Sequence, residues 1–175
     1  MLGVGEVHIS GRRIGIAIVH EEDLITGLSV SLGGEPNLKP LLSFLRGRGI
    51  TPNLERKESR FLKLIGDLLL GRIENRELFP LLDTSFLTPF ERRLYSLVIE
   101  IPRGSVVSYG ELAKLLKTSP RAVGSGLKRN PYPLIVPCHR VVAKKGIGGF
   151  SGGVKLKRLL LELEGVKKWP DSKPT

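Results

Sequence analysis

The sequence has no glutamine, one cysteine, one methionine and one tryptophan, and aromatic residues make up 6% of its 175 positions. A single cysteine excludes an internal disulfide, which agrees with a reducing compartment where a reactive thiol would also survive. No apolar run approaches the ~20 residues that cross a bilayer, and the first residues lack a basic stretch leading into an apolar signal. A soluble, cytoplasmic protein without membrane association is expected. His8 and His20 have no partners at metal-ligand spacing and no cysteine to join them, so neither a metal site nor a cofactor is expected. The shortage of Gln, Met and Cys amid abundant Lys, Arg and Glu is a pattern of proteins adapted to heat. Hydrophobic residues, at 41%, suffice for the core of one ordinary domain or two small lobes, and no disorder class fits.

Negative charge is scarce in one half only. Residues 1 to 101 hold 13 Lys and Arg against 13 Asp and Glu, whereas residues 102 to 175 hold 15 against 4, so the whole net charge of +11 lies in the C-terminal part. A solvated basic surface usually mixes both signs, and a one-sided excess favours a polyanion partner.

Val4 to Ser10, Arg12 to His20 and Leu24 to Leu32 alternate as three strands of a meander joined by Ser10-Gly11 and Glu21-Glu22-Asp23. Leu38, Leu41, Leu42 and Leu45 predict a helix within Pro36 to Arg48. Phe61, Leu64, Ile65 and Leu68 predict another within Ser59 to Leu70, followed by an irregular passage from Gly71 to Pro80. Thr88-Pro89-Phe90-Glu91 has a hydroxyl N-cap, proline at N1 and a capping-box glutamate, and opens a helix to about Glu100. Ser108 caps a helix over Tyr109 to Leu116. Ser119 and Pro120 start the next, and Asn130-Pro131 stops it, so residues 108 to 130 form a helix-turn-helix. Val123 and Leu127 are expected in the core and Ala122, Ser125, Gly126 and Arg129 on another face. Three of these four are too small to reach base edges in a major groove. A small face suits close approach to a minor groove with Arg121, Lys128 and Arg129 at the rim, although small residues also let two protein helices pack closely.

The cysteine lies in LIVPCHRVV, Leu134 to Val142. A lone cysteine is more often a buried structural residue, and burial disfavours the thiolate. Here, however, Pro137, His139 and Arg140 interrupt an apolar run beside Cys138. Neighbouring side chains point apart, so His139 needs a bridging water to take the thiol proton and a carboxylate to orient its other nitrogen. Glu164 is the candidate, although a carboxylate at the edge of a stripe of Leu156, Leu159, Leu160 and Leu163 is usually a solvated surface residue, and its support comes from the resemblance given below. The glycine-rich stretch Ile147 to Gly153 lacks the GxxxxGK[ST] arrangement of a phosphate loop and reads as a pocket wall, with glycine backbone able to approach a flat base. The tail from Lys167 to Thr175 carries Pro170 and Pro174 and is expected to fray.

PCHR followed by VVAKKGIGGFSGG, together with SYGELA at Ser108 to Ala113, RAVGSGLKRNP at Arg121 to Pro131 and LELEG at Leu161 to Gly165, resembles the O6-alkylguanine-DNA alkyltransferase family from about Thr88 to Gly165. The resemblance implies single-use transfer of an alkyl group, typically methyl, from O6 of guanine in duplex DNA to Cys138, with the base flipped out of the helix. It implies Arg121 in the vacated stack, Tyr109 at the base N3 and Lys157 near the cysteine. It implies Phe150, Ser151 and Gly152 around the base with the Cys138 and Val141 carbonyls at its exocyclic amine, and Asn130 tying the recognition helix to an active-site strand through backbone hydrogen bonds. Ala122, Ser125, Gly126, Lys128 and Arg129 complete the expected DNA contact. Phe150 stands where many relatives have tyrosine, and members with a structural zinc have ligands that this N-terminal part lacks. A helix-turn-helix protein that only binds lesions would not need Cys138, and a Cys-His hydrolase is disfavoured because the two residues are adjacent.

The expected architecture is α+β. Residues 1–83 would form an N-terminal lobe with a small antiparallel β-sheet and helices. Residues 84–168 would form a mainly helical lobe with a winged-helix-like helix-turn-helix and the active-site cysteine, and 169–175 a flexible tail. The expected partner is double-stranded DNA carrying O6-alkylguanine, met through the minor groove by a monomer with little sequence preference.

Overall fold

The computed structural model describes residues 1–166 and Trp169. Strands β1 (Leu2–Ile9), β2 (Arg12–Glu21) and β3 (Leu24–Leu32) form an antiparallel sheet in that order. Alternation decides which side chain meets which layer. Ile14, Ile16 and Ile18 of β2 join the main core, whereas Ala17 and Val19 on the opposite face pack with Leu41 and Leu45 of helix α1 (Lys39–Arg46). Both faces of β2 are therefore covered. Ser10 and Gly11 turn β1 into β2 with φ of 50° and 70°, the left-handed pair that a tight hairpin needs.

Helix α2 (Arg60–Leu69) lays Phe61, Ile65 and Leu68 on the main core. The passage read as irregular contains a one-turn helix, α3 (Asn75–Leu78), and a 3-10 turn, Phe79–Leu81. No apolar periodicity could announce so short a helix. Helix α4 (Pro89–Ile99) begins in the expected box: Thr88 Oγ1 accepts from Glu91 N at 3.2 Å, and Glu91 Oε2 accepts from Thr88 N at 3.0 Å. Helices α5 (Tyr109–Leu116) and α6 (Pro120–Lys128) make the helix-turn-helix. The turn between them passes through Lys117 at φ 52°. Strand β4 (Val107–Ser108) pairs in parallel with β5 (Val141–Val142), so the entry to the helix-turn-helix is hydrogen-bonded to the exit of the active-site segment. Helix α7 (Val154–Leu163) is the last regular element among the described residues.

The architecture is α+β, and one continuous core runs from Ile9 through Tyr95 and Val136 to Leu160. Backbone contacts stitch the two halves as well: Leu28 N donates to Pro131 O at 2.7 Å, Asp83 N donates to Ile25 O at 2.9 Å, and Tyr132 Oη donates to Asp83 O.

Two expectations need correction. The buried side of α7 is Leu156, Lys157, Leu160 and Leu161, with Leu159 and Leu163 half-buried, because the active-site segment and β5 cover the side of the helix that carries Lys157 and Leu161. Trp169, placed in a flexible tail, packs against the Val142, Leu161 and Val166 cluster. The remainder of 169–175, and Lys167 and Lys168, lie outside the described residues.

Candidate active site

Cys138 opens a 3-10 turn, Cys138–Arg140, instead of continuing a strand. The turn splays three consecutive side chains in different directions, so sulfur, imidazole and guanidinium meet different neighbours. The cysteine is 5% exposed and forms part of the wall of a cavity of about 600 Å3, with Pro40, Tyr109, Gly124, Phe150 and Ser151. That volume falls within the range of small-ligand sites, roughly 300–1,000 Å3. Burial pushes the thiol above its ordinary value. The hydrogen bond from Asn130 and the charge of Lys157 oppose that rise without cancelling it.

His139 Nε2 lies 2.8 Å from Glu164 Oε1, although the two residues are 25 positions apart. Burial would push Glu164 up, but the hydrogen bonds and charges of His139 and Arg140 outweigh it and hold the carboxyl at about 2. An ionised carboxylate only accepts, so Nε2 carries the ring proton and Nδ1 presents a lone pair. Burial keeps the imidazole below 6.5 despite the pull of Glu164, and Arg140 and Lys157 add to the lowering. Nδ1 is buried without a protein partner. Near neutral pH the ring is therefore a neutral base whose Nδ1 accepts from no protein group among the described residues.

Arg140, which sequence reasoning left without a role, aligns this pair. Its Nε and Nη2 each donate to Glu164 at 2.9 Å, and Nη1 donates to Ile101 O at 2.7 Å. This bidentate clamp fixes both carboxylate oxygens. Its only sequence signal was a charge inside an apolar run.

Asn130 Nδ2 donates to Val136 O at 3.0 Å and to Cys138 Sγ at 3.3 Å, while Oδ1 accepts from Tyr132 N at 2.9 Å. The expected tie is thus made by the side-chain amide, which also touches the sulfur. Lys157 is fully buried, with Nζ donating to Val141 O at 2.6 Å and to Gly149 O at 3.0 Å. Burial lowers its pKa to about 8. Tyr109 is pushed up, by burial first and then by Cys138, against a hydrogen bond from the Gly149 backbone.

Expected pocket residues divide. Phe150 and Ser151 line the cavity. The Val141 side chain is fully buried in the core, and its carbonyl, the group expected at the base, accepts from Lys157 Nζ. Gly152 packs behind the wall, where an added Cβ would lie 2.7 Å from Leu156 and 3.1 Å from Val30. Pro40, from the N-terminal sheet lobe, and Gly124 are cavity residues that sequence reasoning missed.

The outer face of α6 also needs correction. Gly126 is buried, with room for no side chain: a Cβ there would lie 2.5 Å from Leu94 and 3.2 Å from Phe90 of α4. Tyr95 Oη donates to its carbonyl at 3.1 Å. At 100° per residue Gly126 lies about 60° from Val123, inside the core sector. The exposed face is Arg121, Ser125 and Lys128 with half-buried Gly124, a set at i, i+3, i+4 and i+7. Ala122 is half-buried and its N–H donates to the Ser119 cap at 3.1 Å. Arg129 is half-exposed and its Nε lies 3.3 Å from Glu91. Among the described residues, no group of three His, Cys, Asp or Glu side chains could hold a metal ion, and no helix is long and apolar enough to cross a membrane.

Comparison with known proteins gives consistent results. Residues 89–166 match the family model for the DNA-binding domain of 6-O-methylguanine DNA methyltransferase, so DNA is a partner of this chain. A methylated-DNA–protein-cysteine methyltransferase of Thermococcus gammatolerans is 46% identical over 173 residues, 97% of this chain and 99% of that protein. The crystal structure of the O6-methylguanine-DNA methyltransferase from the hyperthermophilic archaeon Pyrococcus kodakaraensis strain KOD1 is 37% identical, with a TM-score of 0.87 over 95% of this chain and all of that one. Mycobacterium tuberculosis OGT in complex with DNA is 26% identical, with a TM-score of 0.63 over 93% of each chain. By identity over nearly its full length, the chain belongs to the methylated-DNA–protein-cysteine methyltransferase family.

Proposed function

We propose that the chain repairs DNA by direct reversal, moving an alkyl group from O6 of guanine in a duplex to the sulfur of Cys138, once per molecule. The observation that carries this is the position of Cys138 in the wall of a cavity next to α6, within reach of Asn130 and one residue from the clamped His139–Glu164 pair. A base inside a duplex cannot enter such a cavity, so the nucleotide rotates out to meet it. Arg121, exposed in the first turn of α6, has the length and planarity to occupy the gap. With only short side chains between Arg121 and Lys128 on the exposed face, α6 lies along a minor groove as part of a monomer and reads little sequence.

The proton on Cys138 passes through one water to His139 Nδ1, which ionised Glu164 keeps available by holding the other nitrogen. Asn130 and Lys157 favour the thiolate against the burial that disfavours it. The sulfur attacks the alkyl carbon in line, the C–S bond forms, the C–O bond breaks, and the electron pair remains on guanine. Tyr109, in the cavity wall, stabilises or protonates that anion, with the Lys157 charge behind it, Nζ 5.9 Å from the Tyr109 ring centre. The product is a thioether without a carbonyl for water to attack, so the sulfur is not regenerated. Residues 84–168 perform the transfer, residues 1–83 support them, and the thiol stays reduced in the cytoplasm.

The test is the intact mass after incubation with a duplex containing O6-methylguanine, followed by mapping of the modified residue. One methyl group per chain on Cys138 is expected. Cys138→Ser should bind the duplex and gain no mass. Unchanged mass in the wild type, or a methyl group on another residue, would overturn the proposal.

A further inference from the structure

The segment carrying the cysteine is held by two primary amides, and one of them comes from the N-terminal half. Asn75, the first residue of α3, is 6% exposed, and its Nδ2 donates to Leu134 O at 2.7 Å and to Ile135 O at 2.9 Å, across 59 and 60 positions of chain. Asn130 takes the next carbonyl, that of Val136, and then reaches the sulfur. Three consecutive carbonyls are thereby captured by two side chains, and both hydrogens of each amide are in use.

The segment needs such restraint. Leu134 has φ 76°, a left-handed conformation that a leucine adopts only when its surroundings impose it. Between Tyr132 and Cys138 the backbone's own hydrogen bonds are short-range, Val136 N to Tyr132 O at 2.9 Å, Cys138 N to Val136 O at 2.7 Å and Arg140 N to Pro137 O at 2.9 Å. No regular ladder holds it. Without Asn75, two buried carbonyls lose their donors and Leu134 is free to relax toward negative φ. That shift would move Val136, and with it the amide of Asn130 that donates to the sulfur.

We propose that Asn75 is a positioning residue for the transfer reaction: through the Leu134 and Ile135 carbonyls it sets the place of Cys138 relative to Asn130 and His139. It touches neither DNA nor the reacting atoms. The inference rests on Cys138 being the alkyl acceptor, and it assigns the N-terminal half a part in the chemistry at a specific atom.

Asn75→Leu keeps the shape of the side chain and removes both donors. Single-turnover transfer from an O6-methylguanine duplex, measured over a range of protein concentrations and of pH, separates positioning from folding. The limiting rate constant should fall about tenfold or more, as expected for a reacting atom moved by a fraction of an ångström. The half-saturating concentration should stay within about twofold. The rise of rate with pH should move to higher pH, because the thiolate loses an aligned donor. Asn75→Gln, which keeps the amide on a longer stem, should recover part of the rate. If Asn75→Leu does not fold, Asn75→Ala, where water can reach the two carbonyls, should show a smaller loss with the same upward pH displacement. A full limiting rate and unchanged pH profile in a folded variant, whatever its Tm, would overturn the inference. A methyl group mapped away from Cys138 in the wild type would instead overturn the function on which it rests.

Discussion

Two buried carboxylates, Glu91 at the start of α4 and Glu164 at the end of α7, have almost the same surroundings and different uses. Each is gripped by an arginine at both oxygens, Glu91 by Arg48 Nη2 at 2.9 and 3.0 Å and Glu164 by Arg140 at 2.9 Å twice. Each lies below the ordinary carboxylate range because those contacts outweigh burial. Glu91's remaining partners are Arg129 and the Thr88 N-cap. It is a fixed junction of the α1 end, the α4 start and the α6 end. Glu164 instead spends one contact on an imidazole whose second nitrogen is free. One titratable partner separates a junction from the anchor of the proposed proton relay.

Replacing each carboxylate by its amide should break the pair apart. Glu164→Gln should slow methyl transfer about 100-fold, within the usual range for loss of acid–base assistance, with DNA binding retained. Glu91→Gln should leave transfer within about twofold while lowering unfolding stability by about 3 kcal/mol, since Arg48 then keeps a buried contact without its counter-charge. Single-turnover kinetics beside denaturant unfolding checks both, and equal kinetic losses would erase the distinction.

Arg121→Ala should weaken repair of duplex DNA about tenfold yet react nearly normally with a free O6-alkylguanine base, measured by competition between the two substrates. Equal loss on both would contradict its place in the stack. Acid should then sharpen the comparison. Both carboxyls have folded values below 4.5, so the unfolded chain binds protons more readily. Their stabilisation is complete above that value and is lost as pH falls, through about 2 for Glu164. The decline of Tm with falling pH should be shallower in either amide variant than in the wild type. The smallest effect belongs to Gly126→Ala, which should reduce stability by about 1–2 kcal/mol through overpacking against Leu94 and leave the DNA affinity of the folded protein unchanged. Reduced affinity without reduced stability would return Gly126 to the DNA face.

Short-range features were legible in the chain. The Thr88-Pro89-Glu91 and Ser119-Pro120 starts are local chemistry, and the three strands follow from short apolar runs of β-branched residues bounded by turn residues. Gly126 is legible too, since angular arithmetic places it beside Val123, but a small residue serves close approach to DNA and close packing on α4 equally, and only the fold separates the two. Asn75 was not legible: its acceptors are 59 and 60 positions away, and an asparagine opening a four-residue helix looks like any surface polar residue. Nor could Lys157 declare its burial, because a lysine beside a leucine stripe is normally solvated by its own flexibility. His139 and Glu164 were connected through the resemblance, and the clamp that aligns them became apparent only when Arg140 was seen to face Glu164 and Ile101 together.

Pro40 gives the cavity a boundary that does not travel with the nucleophile. Under the proposed function, a chimaera joining residues 84–166 to residues 1–83 of another family member would inherit the sulfur and the His139–Glu164 pair, but not the Pro40 side of the cavity. Tolerance of larger alkyl groups should then respond to changes at α1 as well as to changes beside the thiol.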